Sequence, residues 1–268
     1  MARDALDDFT RTTFSSGGKE RDVYRLGEGT AVIVMAEIPG ITPAVADFAR
    51  RVVARGHTVF LPHLFGDPGA EPSAGAIVRS IVPSCVSRDF RAFALRSTAP
   101  AIEWLRALAR HAHQECGGPG VGAVGMCFTG GFALAMSTEP EMLAPVLSQP
   151  SLPIALNGAR AADLGCSDED LLAVTERARA DELCVLGLRF TGDRLVPAAR
   201  FANLRRQLGD NFIGVEIDSS KGNPWGHGAQ AHSVLTEDLI DEPGQPTRAA
   251  LEQVLDFLDS RLAVTGQK

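Results

Sequence analysis

Val121-Gly122-Ala123-Val124-Gly125-Met126-Cys127-Phe128-Thr129-Gly130-Gly131 carries a strand pattern straight into the start of a helix. The turn has the form of the G-x-S-x-G nucleophile elbow, with Cys127 in the serine place. Such a turn is tight, so bulky residues two positions either side of the nucleophile would clash. Gly125 satisfies this on one side, but Thr129 stands on the other and the second glycine is displaced to Gly130. A thiol at a helix N-terminus meets the positive end of the helix dipole, which favours the thiolate. The competing reading is a buried cysteine in a glycine-rich turn that cradles a phosphate. The chain has no G-x-G-x-x-G or P-loop sequence, and no second G-x-S-x-G.

Working outward, apolar runs alternate with helical spacing. Ala31–Ala36 is an unbroken apolar run, the mark of a strand buried on both faces, and it ends at Glu37-Ile38-Pro39-Gly40. Pro43–Arg55 and Thr98–His111 have helical spacing, His57–Leu61 reads as a strand, and Pro62–Gly75 is a Pro/Gly-rich loop. Past the elbow, the helix runs from Phe128 to Ser137, and Pro145–Ser148 is a short strand. Asp168–Ala180 is a helix capped by Ser167, and Leu183–Phe190 and Phe212–Ile217 are strands around a helix over Ala198–Leu208. Arg248–Leu262 is an amphipathic helix, and Thr12–Leu26, with Gly17-Gly18 at its centre, predicts an edge hairpin. This alternation predicts one α/β domain over residues 1–268. A hairpin over 1–30 precedes a core over 31–264, built on a mostly parallel sheet with helices on both faces. In such sheets, sites gather at the carboxyl ends of the strands.

Composition narrows the function classes. With 268 residues, 45% of them hydrophobic, the chain can bury one large core. The net charge of −7 and scattered basic residues argue against a nucleic-acid surface, and Arg50, Arg51 and Arg55 read as one solvated helix face. No apolar run is long enough for a membrane span. Met1–Lys19 lacks the apolar core of a secretory signal, and five cysteines form an odd set without CxxC, so free thiols in a reducing cytoplasm are expected.

Asp193 lies in Thr191-Gly192-Asp193-Arg194, just after a strand. Alone it would read as a turn or capping residue. Its place between the elbow and a later histidine, in the chain order of this fold, makes it the candidate acid, with Asp218 next. His227 and His232 both follow the last strand. His232 is favoured because Ser233-Val234-Leu235 begins a regular segment that can fix a ring, whereas His227 sits between glycines and is expected at the surface or the pocket rim. A zinc site is not expected: His111 and His113, like His227 and His232, lack a third ligand at a recognisable spacing. His63 reads as a polar loop residue. No cofactor is implied.

These residues together resemble the dienelactone hydrolase family of α/β-hydrolases, from about Ala31 to Leu262. The resemblance rests on Glu37-Ile38-Pro39-Gly40, the Cys elbow, Gly192-Asp193 with Val196-Pro197, and Ala231-His232-Ser233. It implies that Cys127 attacks, His232 exchanges protons, Asp193 orients the ring, and Glu37 lies beside the thiol and takes part in its activation. Backbone N–H groups of Ile38 and Phe128 would form the oxyanion hole. The implied substrate is an ester or lactone of a small carboxylic acid. A thioesterase or other acyl hydrolase with the same triad, or a non-catalytic ligand-binding α/β-hydrolase scaffold, are the alternatives. One departure stands out. Dienelactone-specific members hold the substrate carboxylate with arginines, one of them four residues past the histidine, where this chain has Thr236. Arg79 and Arg88 are candidates for another such arginine.

Overall fold

Two polar, alternating strands, β1 (Thr10–Ser16) and β2 (Lys19–Leu26), pair antiparallel across Gly17-Gly18. Both turn glycines have positive φ (57° and 73°), the conformation a tight two-residue hairpin needs. In this computed structural model, which describes residues 3–73, 75–76, 80, 100–155, 157–180 and 182–263, six further strands extend the sheet. These are β3 (Ala31–Met35), β4 (Thr58–Pro62), β5 (Val121–Met126), β6 (Met142–Ser148), β7 (Val185–Phe190) and β8 (Phe212–Ile217). The order is β1-β2-β4-β3-β5-β6-β7-β8, and every pair from β4 through β8 is parallel.

Among the described residues the helices are α1 (Pro43–Ala54), α2 (Pro100–Cys116), α3 (Gly130–Met136), α4 (Gly158–Ala162), α5 (Asp168–Arg179), α6 (Ala198–Leu208) and α7 (Pro246–Leu262). Period-two alternation divides each central strand between two cores. Ala31, Ile33 and Met35 pack with α2, α3, α5 and α6, while Val32 and Val34 pack with α1 and α7. That is why the strand reads as a continuous apolar run: both of its faces are covered.

Most expected elements stand within a few residues of their places, and α6 and β8 match at both ends. Strand β6 is longer than expected: it begins at Met142, three residues before Pro145. Pro145 fits because the strand still pairs with β5 there, while its pairing with β7 starts only at Val146. The helix over Gly158–Ala162 was not anticipated, being a single capped turn with no buried residue. Arg50, Arg51 and Arg55 are not a bare solvated face. Arg50 binds Asp4 and Asp8, Arg51 binds Asp47 and Asp241, and Arg55 binds Asp256 and Asp259, so they hold the N-terminal strap and α7 to α1. Among the described residues, no helix is long and apolar enough to cross a membrane.

Candidate active site

The carboxyl ends of β3, β5, β6 and β7 converge on Cys127. Its φ of +52° is rare for a residue with a side chain, and lifts the thiol off the end of β5 at the start of a short 3₁₀ turn, Cys127–Thr129. The turn closes so tightly that a Cβ on Gly125 would stand 2.2 Å from the Thr129 carbonyl oxygen. Thr129 occupies the displaced-glycine position by pointing its side chain inward. Its hydroxyl accepts from the Met126 N–H (2.9 Å) and donates to the Met35 carbonyl (2.9 Å), tying the elbow to the end of β3. A Cβ on Gly130 would meet Pro150 Cα at 2.6 Å, so the loop after β6 rests directly on the elbow.

Asp193 is buried in the turn after β7. Its Oδ1 accepts from the Leu195 N–H (2.8 Å), which leaves Oδ2 to accept a hydrogen bond from His232 Nδ1 at 2.6 Å. Asp238 holds the histidine from behind: its Oδ2 accepts from the backbone N–H groups of His232 (2.8 Å) and Ser233 (2.9 Å). The bond to Asp193 occupies Nδ1 and, among the described residues, Nε2 has no partner at hydrogen-bond geometry. Burial pulls the His232 pKa down, but the bond to Asp193 and the contact and charge of Cys127 outweigh it, so the net shift is upward. A ring nitrogen of His232, Cys127 Sγ and a Glu37 carboxylate oxygen all lie within 4.8 Å of one another. Among the described residues, this is the trio that could close on a metal ion, through a thiol and a carboxylate that the histidine spacing does not reveal.

Glu37, only 4% exposed, sits in a cradle of neutral donors. Ser233 Oγ (2.6 Å) and Gln149 Nε2 (3.3 Å) donate to Oε2, and the Thr236 hydroxyl donates to Oε1. Thr236 is buried beneath the site rather than presented to a substrate. Arg79 and Arg88 lie outside the described residues, as does Cys85. The other expected residues fall elsewhere. His227 is neither exposed nor at the rim: it is buried against Phe190, with ring centroids 5.0 Å apart, because Asn223 folds the glycine-flanked loop back on itself. Burial lowers its pKa. Asp218 accepts from the Ser220 N–H in a turn, and His63 bonds the Gly66 carbonyl.

Three contributors were not singled out in the sequence: Gln149, Asp238 and Ser151. Ser151 grips the elbow twice, with its N–H on the Cys127 carbonyl (3.0 Å) and its hydroxyl 3.3 Å from Sγ. Its place just past the end of β6 was the available signal. Arg200, 1% exposed, anchors this loop by donating to the carbonyls of Pro150, Pro153, Arg160 and Asp163. In front of the thiol lies a cavity of about 410 Å³, which Ile38, Phe128, Leu152 and Leu195 help to line.

Residues 25–261 match the sequence profile described as the dienelactone hydrolase family. The chain belongs to the dienelactone hydrolase family. Membership makes it a carboxylic ester hydrolase with an α/β-hydrolase fold. No curated protein sequence matches it. Solved structures similar to this family member include a dienelactone hydrolase-like promiscuous phosphotriesterase from metagenomic libraries. It is 16% identical with a TM-score of 0.59, and the match covers 93% of this chain and 98% of that one. A cold-adapted esterase from an Arctic intertidal metagenomic library is 16% identical (TM-score 0.55), covering 94% of this chain and 92% of that one. The thioesterase domain from the curacin biosynthetic pathway is 12% identical (TM-score 0.54), covering 92% and 99%. At these identities the likeness establishes the fold.

Proposed function

We propose that the enzyme hydrolyses an ester or lactone of a small carboxylic acid through a Cys127 thioester, with His232 and Asp193 completing the triad. The observation that carries this reading is the 2.6 Å bond from His232 Nδ1 to Asp193, with the ring within 4.8 Å of a thiol held at left-handed φ and Nε2 without a hydrogen-bond partner among the described residues. In the first half-reaction, the Cys127 thiolate forms a C–S bond to the ester carbonyl carbon. The negative charge that develops on the carbonyl oxygen is met by the N–H groups of Ile38 and Phe128, each such donor being worth about 3 kcal/mol in comparable sites. The C–O bond then breaks, and His232 gives its Nε2 proton to the leaving alkoxide. In the second half-reaction, neutral His232 takes a proton from water, whose oxygen attacks the thioester. The C–S bond then breaks, the acid leaves, and the Cys127 thiolate is restored beside a His232 that again carries the Nε2 proton.

Glu37, held within 4.8 Å of the thiol by Ser233, Thr236 and Gln149, acts in thiol activation as a fixed carboxylate. A nucleophilic thiol must stay reduced, so we place the enzyme in the cytoplasm. A thioester substrate would present the same carbonyl to Cys127, and a side-by-side comparison of ester and acyl-thioester turnover separates the two activities. An inert scaffold has no use for a buried Asp193 aligned on His232. The test is p-nitrophenyl acetate turnover: it should be lost in Cys127→Ala and after iodoacetamide treatment, with the melting temperature nearly unchanged. Turnover that survives both would assign the chemistry to another residue.

A further inference from the structure

The cavity in front of Cys127, about 410 Å³, is of a size that takes a small ligand. Its walls are apolar: Ile38, Pro72, Leu152, Ile154 and Leu195 line it, and Ile154 and Leu195 are large hydrophobic side chains left about half exposed at its edge. Apolar side chains left exposed beside an apolar cavity extend the surface that an apolar ligand group can cover. Among the described residues, the charged side chains lining it are two carboxylates and the catalytic His232. Glu37 lies beside the thiol, and Glu237 stands at the mouth.

Glu237 is held in place. Its Oε1 accepts from the Thr42 hydroxyl at 3.2 Å, and Thr42 is buried and fixed as the N-cap of α1 by the Val45 N–H. Partial burial, and then the charges of Glu37 and Asp238, push the Glu237 carboxyl above its ordinary range against the pull of Thr42. Negative charge is thus already crowded on this wall, and a substrate carboxylate would add to it.

Resting on Cys127 as the nucleophile, we propose that the site takes esters whose acyl group is uncharged and apolar, and that Glu237 enforces this by repelling carboxylate-bearing substrates. The acyl chain lies along Leu152, Ile154 and Leu195, and its carbonyl reaches Sγ. Glu237 is exposed, so water screens much of the repulsion, and two like charges a few ångströms apart there discriminate by about tenfold.

The test uses two p-nitrophenyl esters matched in shape. One is mono-p-nitrophenyl adipate, and the other is its isostere with an isopropyl group in place of the carboxylate. The full-length protein should prefer the neutral ester by about tenfold or more in kcat/KM. Glu237→Gln should narrow the ratio several-fold, and Glu237→Lys should bring it near unity or invert it. Each ratio is measured within one variant, so a general change in activity cancels. Equal use of the two esters by the unaltered protein, a preference for the adipate, or a ratio that neither substitution moves would overturn the proposal. Turnover that persists in Cys127→Ala would instead overturn the nucleophile assignment, and the ratio would still judge the role of Glu237.

Discussion

Thr129→Val removes one hydroxyl and almost no volume, so its effect isolates two hydrogen bonds. Thr129 is fully buried, and its hydroxyl serves the Met126 N–H and the Met35 carbonyl, both at 2.9 Å. Valine would leave a buried donor and a buried acceptor unpaired, at roughly 1–3 kcal/mol each. The hydroxyl's one proton is shared between the Met35 and Met126 carbonyls, at 2.9 and 3.0 Å, so the loss at Met35 is partial and the expected destabilisation is about 2–4 kcal/mol. For a chain of this size that lowers Tm by about 5–10 °C. The same hydroxyl closes the turn that holds Cys127 at φ +52°, so esterase activity should fall further than stability alone explains. Thr129→Ser keeps the hydroxyl and should retain most of both. The assay is thermal unfolding by circular dichroism, with p-nitrophenyl acetate turnover at a temperature where both variants are folded. A Tm change under about 2 °C, below 1 kcal/mol, would refute the view that this side chain, rather than the missing glycine, closes the elbow.

Asp193→Asn should favour the wrong His232 tautomer and lower kcat by about a thousandfold or more; a loss under about tenfold would move the acid elsewhere. Arg200→Met should destabilise by about 2–4 kcal/mol, the loss of four hydrogen bonds from a buried cation being partly offset by relief of its desolvation. It should also raise KM by freeing the loop that carries Leu152 and Ile154; urea unfolding and steady-state kinetics check both, and wild-type values for either would contradict the anchoring role. Because the His232 pKa is raised in the folded protein, its contribution to stability is fully present below the unfolded value of about 6.5 and is lost as pH rises through the folded one. Urea unfolding at stepped alkaline pH should therefore show a decline that His232→Gln lacks, and identical curves would count against the charged ring.

The sheet was legible because its central strands are covered on both faces, which forces apolar runs such as Ala31–Met35 and Val121–Met126. The elbow was legible because a thiol at a strand–helix turn needs Gly125. The start of β6 was not, since Pro145 masks a strand that needs no N–H on its β7 side at that residue. The cradle of Glu37 could not be read at all. Gln149, Ser233 and Thr236 come from two segments far from residue 37, and a buried carboxylate held by hydroxyls has no sequence spacing. His227 was misplaced for a similar reason: flanking glycines suggest exposure, but Asn223 bonds its backbone twice and turns the ring onto Phe190.

The central claim is a covalent acyl group on Cys127, and acid-quenched mass spectrometry of the enzyme mixed with p-nitrophenyl acetate tests it most directly. One acetyl group should appear during turnover on the peptide that contains Cys127, removable by neutral hydroxylamine as a thioester is, and absent from Cys127→Ala. An acetyl group on a hydroxyl instead, or steady turnover with no adduct on that peptide under any quench, would contradict the account.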